Sequence, residues 1–240
     1  MKLDRLLAHH RSMGRNAAKR AIAAGRVSLN GQRSLDGHAQ TDRFCTVCLD
    51  EEIVQQGQRA LYLMMHKPVG LLSATKDAKH PTVLDAITDP DKESLHLAGR
   101  LDRSTSGLLL LTNDGRWSKQ LMAADFKVPK VYRVELDRDP AADAVEAFAR
   151  GFHFHTENIT TLPARLELLA PRLARVTLHE GRYHQIKRMF HRVGCRVTAL
   201  HRQQVGQLCL PQDLHPGQWR PMTPDETALA LLGSEAPIGN

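Results

Sequence analysis

The stretch "GRLDRSTSGLLLLTND", residues 99 to 114, sets one acid, Asp102, between Arg100 and Arg103 and then runs into four leucines. A catalytic carboxylate must be ionised, reachable and held still. The Gly, Ser and Thr residues around Asp102 suit a loop, and Leu108 to Leu111 is short enough for a central strand. Asp102 is therefore expected at the edge of a sheet, on a rigid support. Neighbouring cations favour its charged form, as a nucleophile requires. The alternative is an aspartate that caps a turn and pairs with Arg100 or Arg103. A second suggestive stretch is "EGRYHQIKRMFHRVG". Here Ile186, Met189, Phe190 and Val193 recur at helical spacing, His184, Lys187, Arg188 and His191 repeat on the opposite side, and Gly194 can end the helix.

The elements that must position these groups are legible from pattern. "KVYRVEL" alternates, which places Tyr132, Val134 and Leu136 on one face of a strand and Arg133 and Glu135 on the other. "LYLMMHKPVGLLSAT" reads as strand, Pro-Gly turn, strand, and "TVLDAI" as the opening of a short helix. Asn113-Asp114-Gly115 predicts a turn, Trp117 to Phe126 and residues 141 to 150 predict helices, and 164 to 169 and 173 to 178 predict strands. Helices and strands alternate without βαβ periodicity, so the class is α+β, on a largely antiparallel mixed sheet.

Upstream, Leu3, Leu6 and Leu7 mark one short helix, and Asn16 to Ala24, stopped by Gly25, a second. "RVSLNG" follows as a strand closed by the hairpin signal Asn30-Gly31. The polar run "DEEIVQQGQRA" separates a small domain, 1–58, from a larger one, 61–235. The net charge of +7 is concentrated at one end: Lys2, Arg5, Arg11, Arg15, Lys19, Arg20, Arg26 and Arg33 face Asp4 alone within the first 33 residues, and the rest sums to zero. Such a basic end reads as a footprint for a polyanion or as a solvated helical face.

No apolar run approaches the length of a membrane span, and the charged start "MKLDRLL" argues against export, so a cytoplasmic protein is expected. Cys45-x-x-Cys48 stands without a second Cys or His pair; reduced, half-buried thiols are the favoured reading over a zinc site. There is no Walker loop and no dinucleotide fingerprint.

"LDRLLAHHRSMGRNAAKRAIAAGRVSLNG" resembles the small RNA-binding module known as the S-four domain. The resemblance implies that Arg15, Lys19, Arg20 and Arg26 meet RNA through its phosphates, which supplies affinity and register rather than sequence reading. "HKPVGLLSAT", "GRLDRSTSGLLLLTNDG", "KVYRVEL" and "EGRYHQIKRMF" resemble, in that order, the motifs of the RsuA-type RNA pseudouridine synthases. That family detaches uracil from its ribose, rotates it and rejoins it through carbon, with no metal and no cofactor. By this resemblance Asp102 is the essential aspartate, attacking either the uracil ring or the anomeric carbon. Tyr132 is the aromatic stacked on the base; alone, a strand tyrosine reads equally as core packing. Lys187 matches the basic partner of the carboxylate, bending toward the sheet while Arg188 and His191 face RNA; a solvated cationic face is the plainer alternative. Arg100 matches an arginine that fills the space left by the flipped base, or else it contacts phosphate or forms a structural ion pair. His66 departs from the asparagine frequent before the motif's Lys67 and Pro68, which leaves the role of that side chain open.

The expected partner is ribosomal RNA, or a partly assembled ribosomal subunit, bound by a monomer. "HPTVLDAI" and "EGRYHQIKRMFHRVG" favour small-subunit RNA over the large-subunit branch. A noncatalytic assembly factor would need neither an ionised aspartate nor a stacking tyrosine, and a metal-dependent RNA hydrolase would need a ligand cluster that the sequence lacks.

Overall fold

The computed structural model describes residues 1–10, 13–123 and 128–233. Arg11 and the 124–126 end of the helix expected over 117–126 lie outside the described residues. The chain divides into two compact units, Met1–Ala60 and Leu61–Asn240.

In the first unit, α1 (Leu3–His10) and α2 (Arg15–Ala23) pack on a four-stranded antiparallel sheet of β1 (Val27–Leu29), β2 (Gln32–Arg33), β3 (Val47–Leu49) and β4 (Glu52–Gln55), in the order β2-β1-β3-β4. Leu3, Leu6 and Leu7 from α1 and Ala18, Ala21 and Ile22 from α2 bury against Val27 and Val47. That leaves Arg15, Lys19 and Arg20 exposed on the other side of α2. Asn30 and Gly31 both have positive φ, +50° and +79°, the pair of left-handed residues that a two-residue hairpin requires. Arg26 is exposed but forms an ion pair with Asp50, which holds that carboxyl below its usual range.

The second unit contains β5 (Tyr62–Lys67), β6 (His96–Leu97), β7 (Thr105–Thr112), α3 (Gly115–Met122), β8 (Lys130–Leu136), α4 (Ala144–Arg150), β9 (His153–Phe154), β10 (Ile159–Thr160), β11 (Arg165–Ala170), β12 (Leu173–Leu178), α5 (Gln185–Arg192), β13 (Val197–Val205), β14 (Leu208–Cys209), β15 (Trp219–Pro221) and α6 (Pro224–Leu229). The main sheet runs β11-β12-β8-β13-β7-β5-β15, with β6 on β7 and β14 on β13. The β13–β7 pairing is parallel and the others are antiparallel.

The four-leucine run is central because its sheet is covered on both faces. Leu109 and Leu111 enter the larger core with α4 and α5, whereas Leu108 and Leu110 enter a second core with Trp117 and Leu121 of α3. On β8 only one face is covered, so Tyr132, Val134 and Leu136 are buried while Arg133 pairs with Glu135 on the open side.

Three local expectations change. The strand expected after Pro68 does not form: Gly70 bonds Arg103 through its backbone, Ser73 bonds Leu101 through its side chain, and Leu72 makes one isolated bridge to Thr82. "TVLDAI" forms a single turn, stopped by the following Thr88-Asp89-Pro90, although Val83, Leu84 and Ile87 are buried in the larger core. The helix expected over 117–126 begins earlier, at Gly115, because the Asp114 side chain accepts from the backbone N–H groups of Arg116 and Trp117, and it ends at Met122.

Candidate active site

Asp102 sits in the turn between β6 and β7, held by its own main chain. Lys67, the last residue of β5, is 0% exposed, and its Nζ donates to the carbonyls of Pro68 (3.0 Å), Asp102 (3.2 Å) and Thr105 (2.9 Å). Burial pushes the Lys67 ammonium down to about 8, against the pull of the Asp102 charge. Ser73 Oγ donates to the Leu101 carbonyl at 2.6 Å and accepts from the Leu101 N–H at 3.1 Å. Gly70 N–H donates to the Arg103 carbonyl, and Arg103 Nε returns a bond to the Gly70 carbonyl. The segment expected as a strand is thus the brace of the aspartate loop, which meets the demand that a reacting group sit on a fixed support.

The Asp102 side chain is 27% exposed and lines a cavity of about 580 Å³. Lys187, from α5, places Nζ 3.2 Å from Asp102 Oδ2 and donates to Ser104 Oγ at 2.7 Å. His184 Nε2 lies 3.6 Å from the same carboxylate oxygen. Tyr132, 8% exposed, faces the cavity from β8 beside Leu178, Ile186 and Leu200, which together offer an apolar slot for a flat ring. Arg100 is exposed and also lines the cavity.

The same cavity is lined by Lys130 and Arg202. Arg202 is 2% exposed, donates from Nε to the Leu108 carbonyl at 2.7 Å, and its Nη2 finds no partner among the described residues. Burial, together with this guanidinium, pushes Lys130 down to about 8. An aspartate side chain among these cations is chemically suited to attack an electrophilic carbon, and the cationic wall to receive a phosphate-bearing strand.

Asp102, Tyr132, Lys187 and Arg100 are therefore brought to one cavity from three separate segments, Arg100 and Asp102 sharing the β6–β7 turn. Arg188 is not: expected to face RNA, it makes a bidentate ion pair with Glu157 at 2.8 and 2.7 Å and lies 3.6 Å over the Phe154 ring. The reason is that Glu157 and the Phe154 ring lie within its reach, and His184, assigned the same helix face from spacing, precedes α5 with a left-handed φ of +48°. His66 points to the reverse face of the sheet, where Nδ1 meets the Leu214 carbonyl at 2.8 Å and the ring stands edge-on to His201. Arg15, Lys19, Arg20 and Arg26 belong to the other unit.

Lys130 and Arg202 were not singled out from the sequence, and Lys67 only as a structural part of the Lys-Pro motif, yet the signal was there. Each continues an inward alternation: Leu63, Met65, Lys67 on β5, Lys130, Tyr132, Val134 on β8, and Leu200, Arg202 on β13. A cation at an inward register is either partnered in the core or functional.

An acid, a cation and a buried aromatic that line one cavity suit the binding of a flat ring beside a reactive carboxylate. The family model described as RNA pseudouridylate synthase matches residues 61–192, more than half of the chain. "Ribosomal small subunit pseudouridine synthase A" of Pseudomonas aeruginosa is 47% identical over 226 residues, covering 94% of this chain and 98% of the relative. The protein of the same name from Escherichia coli is 40% identical over 228 residues, covering 95% and 99%. A solved structure titled "Crystal structure of pseudouridylate synthase" superposes with a TM-score of 0.69 at 33% identity, covering 96% of this chain and 99% of its own. The chain belongs to the RNA pseudouridine synthases, on their RsuA-type branch.

Among the described residues no helix is long and apolar enough to cross a membrane, and no group of three His, Cys, Asp or Glu side chains is placed to hold a metal ion.

Proposed function

We propose that this enzyme converts one uridine of small-subunit ribosomal RNA to pseudouridine in the cytoplasm, as a monomer, with Asp102 as nucleophile. The observation that carries the reading is the Asp102 carboxylate, 3.2 Å from Lys187 Nζ, in the cavity that Tyr132 lines. The target nucleotide leaves its stack at a cost of a few kcal/mol, and its ring lies against Tyr132. Asp102 adds either to the uracil ring or to the anomeric carbon, with Lys187 as its ion-pair partner in either route. The N1–C1′ bond breaks, the C5–C1′ bond forms, the proton on C5 is released and N1 gains one, so product and substrate are isomers. One chain supplies every group named, which is why a monomer suffices. The small-subunit target rests on the relatives named above.

Treating ribosomal RNA from a strain that lacks this gene with a pseudouridine-specific chemical probe tests the reading. One modification in small-subunit RNA should be missing and return when the gene is restored. An unchanged pattern refutes it, and a site missing from large-subunit RNA moves the target.

The first unit is proposed as an S-four-like RNA-binding domain, in which the exposed Arg15, Lys19 and Arg20 of α2, with Arg26 beside them, meet phosphates. Each phosphate contact contributes roughly 0.7 to 0.9 to the slope of log affinity against log salt. The triple variant Arg15→Glu, Lys19→Glu, Arg20→Glu should therefore bind unmodified small-subunit RNA more weakly, with a slope shallower by about 2. A titration series with an unaltered slope would remove α2 from the footprint.

A further inference from the structure

The turn that feeds α5 carries an aromatic with no packing role. Tyr183 is 73% exposed, and its ring lies parallel on His184, with centroids 3.9 Å apart and planes 16° apart. An exposed ring on a loose loop would carry no argument, but this turn is fixed. Gln185 accepts from the Arg182 N–H at 3.0 Å and donates to Glu180 Oε1 at 2.8 Å, while Arg182 Nε donates to Glu180 Oε2 at 2.8 Å. The Tyr183 carbonyl accepts from Arg188 Nη1 at 3.4 Å. Within this frame His184 holds a left-handed backbone, φ +48°, which a non-glycine residue adopts at a cost and which clusters at functional sites.

The position of the stack matters as much as its rigidity. His184 Nε2 stands 3.6 Å from Asp102 Oδ2, so the pair begins at the reacting carboxylate and ends in solvent. Arg100, Arg182 and Lys187 line the same opening and supply positive charge for phosphates. A fixed, exposed aromatic surrounded by cations is the arrangement that holds unpaired bases, because each base stacks without regard to its identity.

We propose that Tyr183, backed by His184, is a stacking platform for a base next to the target uridine, a hold on the RNA strand outside the catalytic pocket. This rests on the reading that Asp102 acts on a uridine in RNA. Turning the target out of its stack deprives a neighbouring base of a partner, and the Tyr183 ring replaces it.

The test uses the full-length enzyme and an unmodified transcript of small-subunit ribosomal RNA. Tyr183→Ala should bind the transcript about tenfold more weakly, the lower part of the range measured for base stacking on aromatics. Tyr183→Phe should stay within about twofold of wild type, since ring area and not the hydroxyl does the stacking. A benzophenone side chain introduced at position 183 should crosslink to a nucleotide adjoining the converted uridine. Tyr183→Ala binding as tightly as wild type, or crosslinks scattered away from that uridine, overturns the platform. The two readings fail separately. A transcript that is converted but shows no dependence on Tyr183 removes the platform alone, and one bound through Tyr183 but never converted removes the assigned reaction alone.

Discussion

Asp102→Asn is expected to lower single-turnover pseudouridine formation by at least about 10³-fold, equivalent to about 4 kcal/mol of transition-state stabilisation. Asparagine preserves the shape of the side chain and leaves the brace intact, because Lys67, Ser73 and Thr105 hold this loop through main-chain atoms of residues 101, 102 and 105. What disappears is the negative charge, and with it the ability to form a bond to carbon. RNA affinity should remain within a few fold, because it comes from phosphate contacts, and removing an anion from a cationic cavity does not oppose a polyanion. Release of tritium from C5 of labelled uridine reports the chemistry, and a binding titration reports the affinity. A variant that keeps a tenth of the wild-type rate would show that another group is the nucleophile. Equal loss of rate and affinity would show that the substitution damaged binding, not chemistry.

Gly107→Ala should be the most damaging single-methyl addition in the catalytic unit. Gly107 lies in β7 at φ +113°, outside the range that other L residues adopt readily. A Cβ there would stand 2.3 Å from the Arg202 carbonyl oxygen and 2.5 Å from the Arg202 nitrogen on the parallel neighbour β13. Neither obstacle is a side chain that can swing away. The two central strands would have to part at the residue that supplies the cavity's buried arginine, two positions from Thr105, whose carbonyl binds Lys67. Strain of this kind is worth roughly 3 kcal/mol or more, which for a unit of this size lowers Tm by about 6 to 12 °C. Differential scanning calorimetry checks it. A variant that melts with the wild type would mean that β7 and β13 tolerate separation, and the close approach would then have no part in fixing the site.

Local and distant interactions shape different parts of this chain. Periodicity assigned β7 to the interior, put Tyr132 on the buried face of β8, and gave α5 its buried Ile186, Met189 and Phe190, because each depends on neighbours within a few residues along one element. Asn30-Gly31 announced its hairpin for the same reason: the turn's backbone demands are met by the residues in the turn. The pattern failed where long-range partners overrode it. The segment after Pro68 has strand composition, yet the Gly70 backbone is taken by Arg103 and the Ser73 hydroxyl by Leu101, some thirty positions away. Arg188 has the spacing of an outward cation, but Phe154 of β9 and Glu157 in the β9–β10 turn claim it.

By itself, then, the amino-acid order determined the class of each main element, the faces they bury, the basic bias of the first 33 residues and the motifs that carry the family resemblance. Only the tertiary structure decided that His184 joins Lys187 beside Asp102, that Lys67 grips the aspartate's main chain from an inward register, and that Lys130 and Arg202 add charge to the same cavity. The physical reason is that strand order β8-β13-β7-β5 makes neighbours of segments far apart in sequence. Side-chain periodicity specifies which way a residue faces, and only the pairing of strands specifies what it faces.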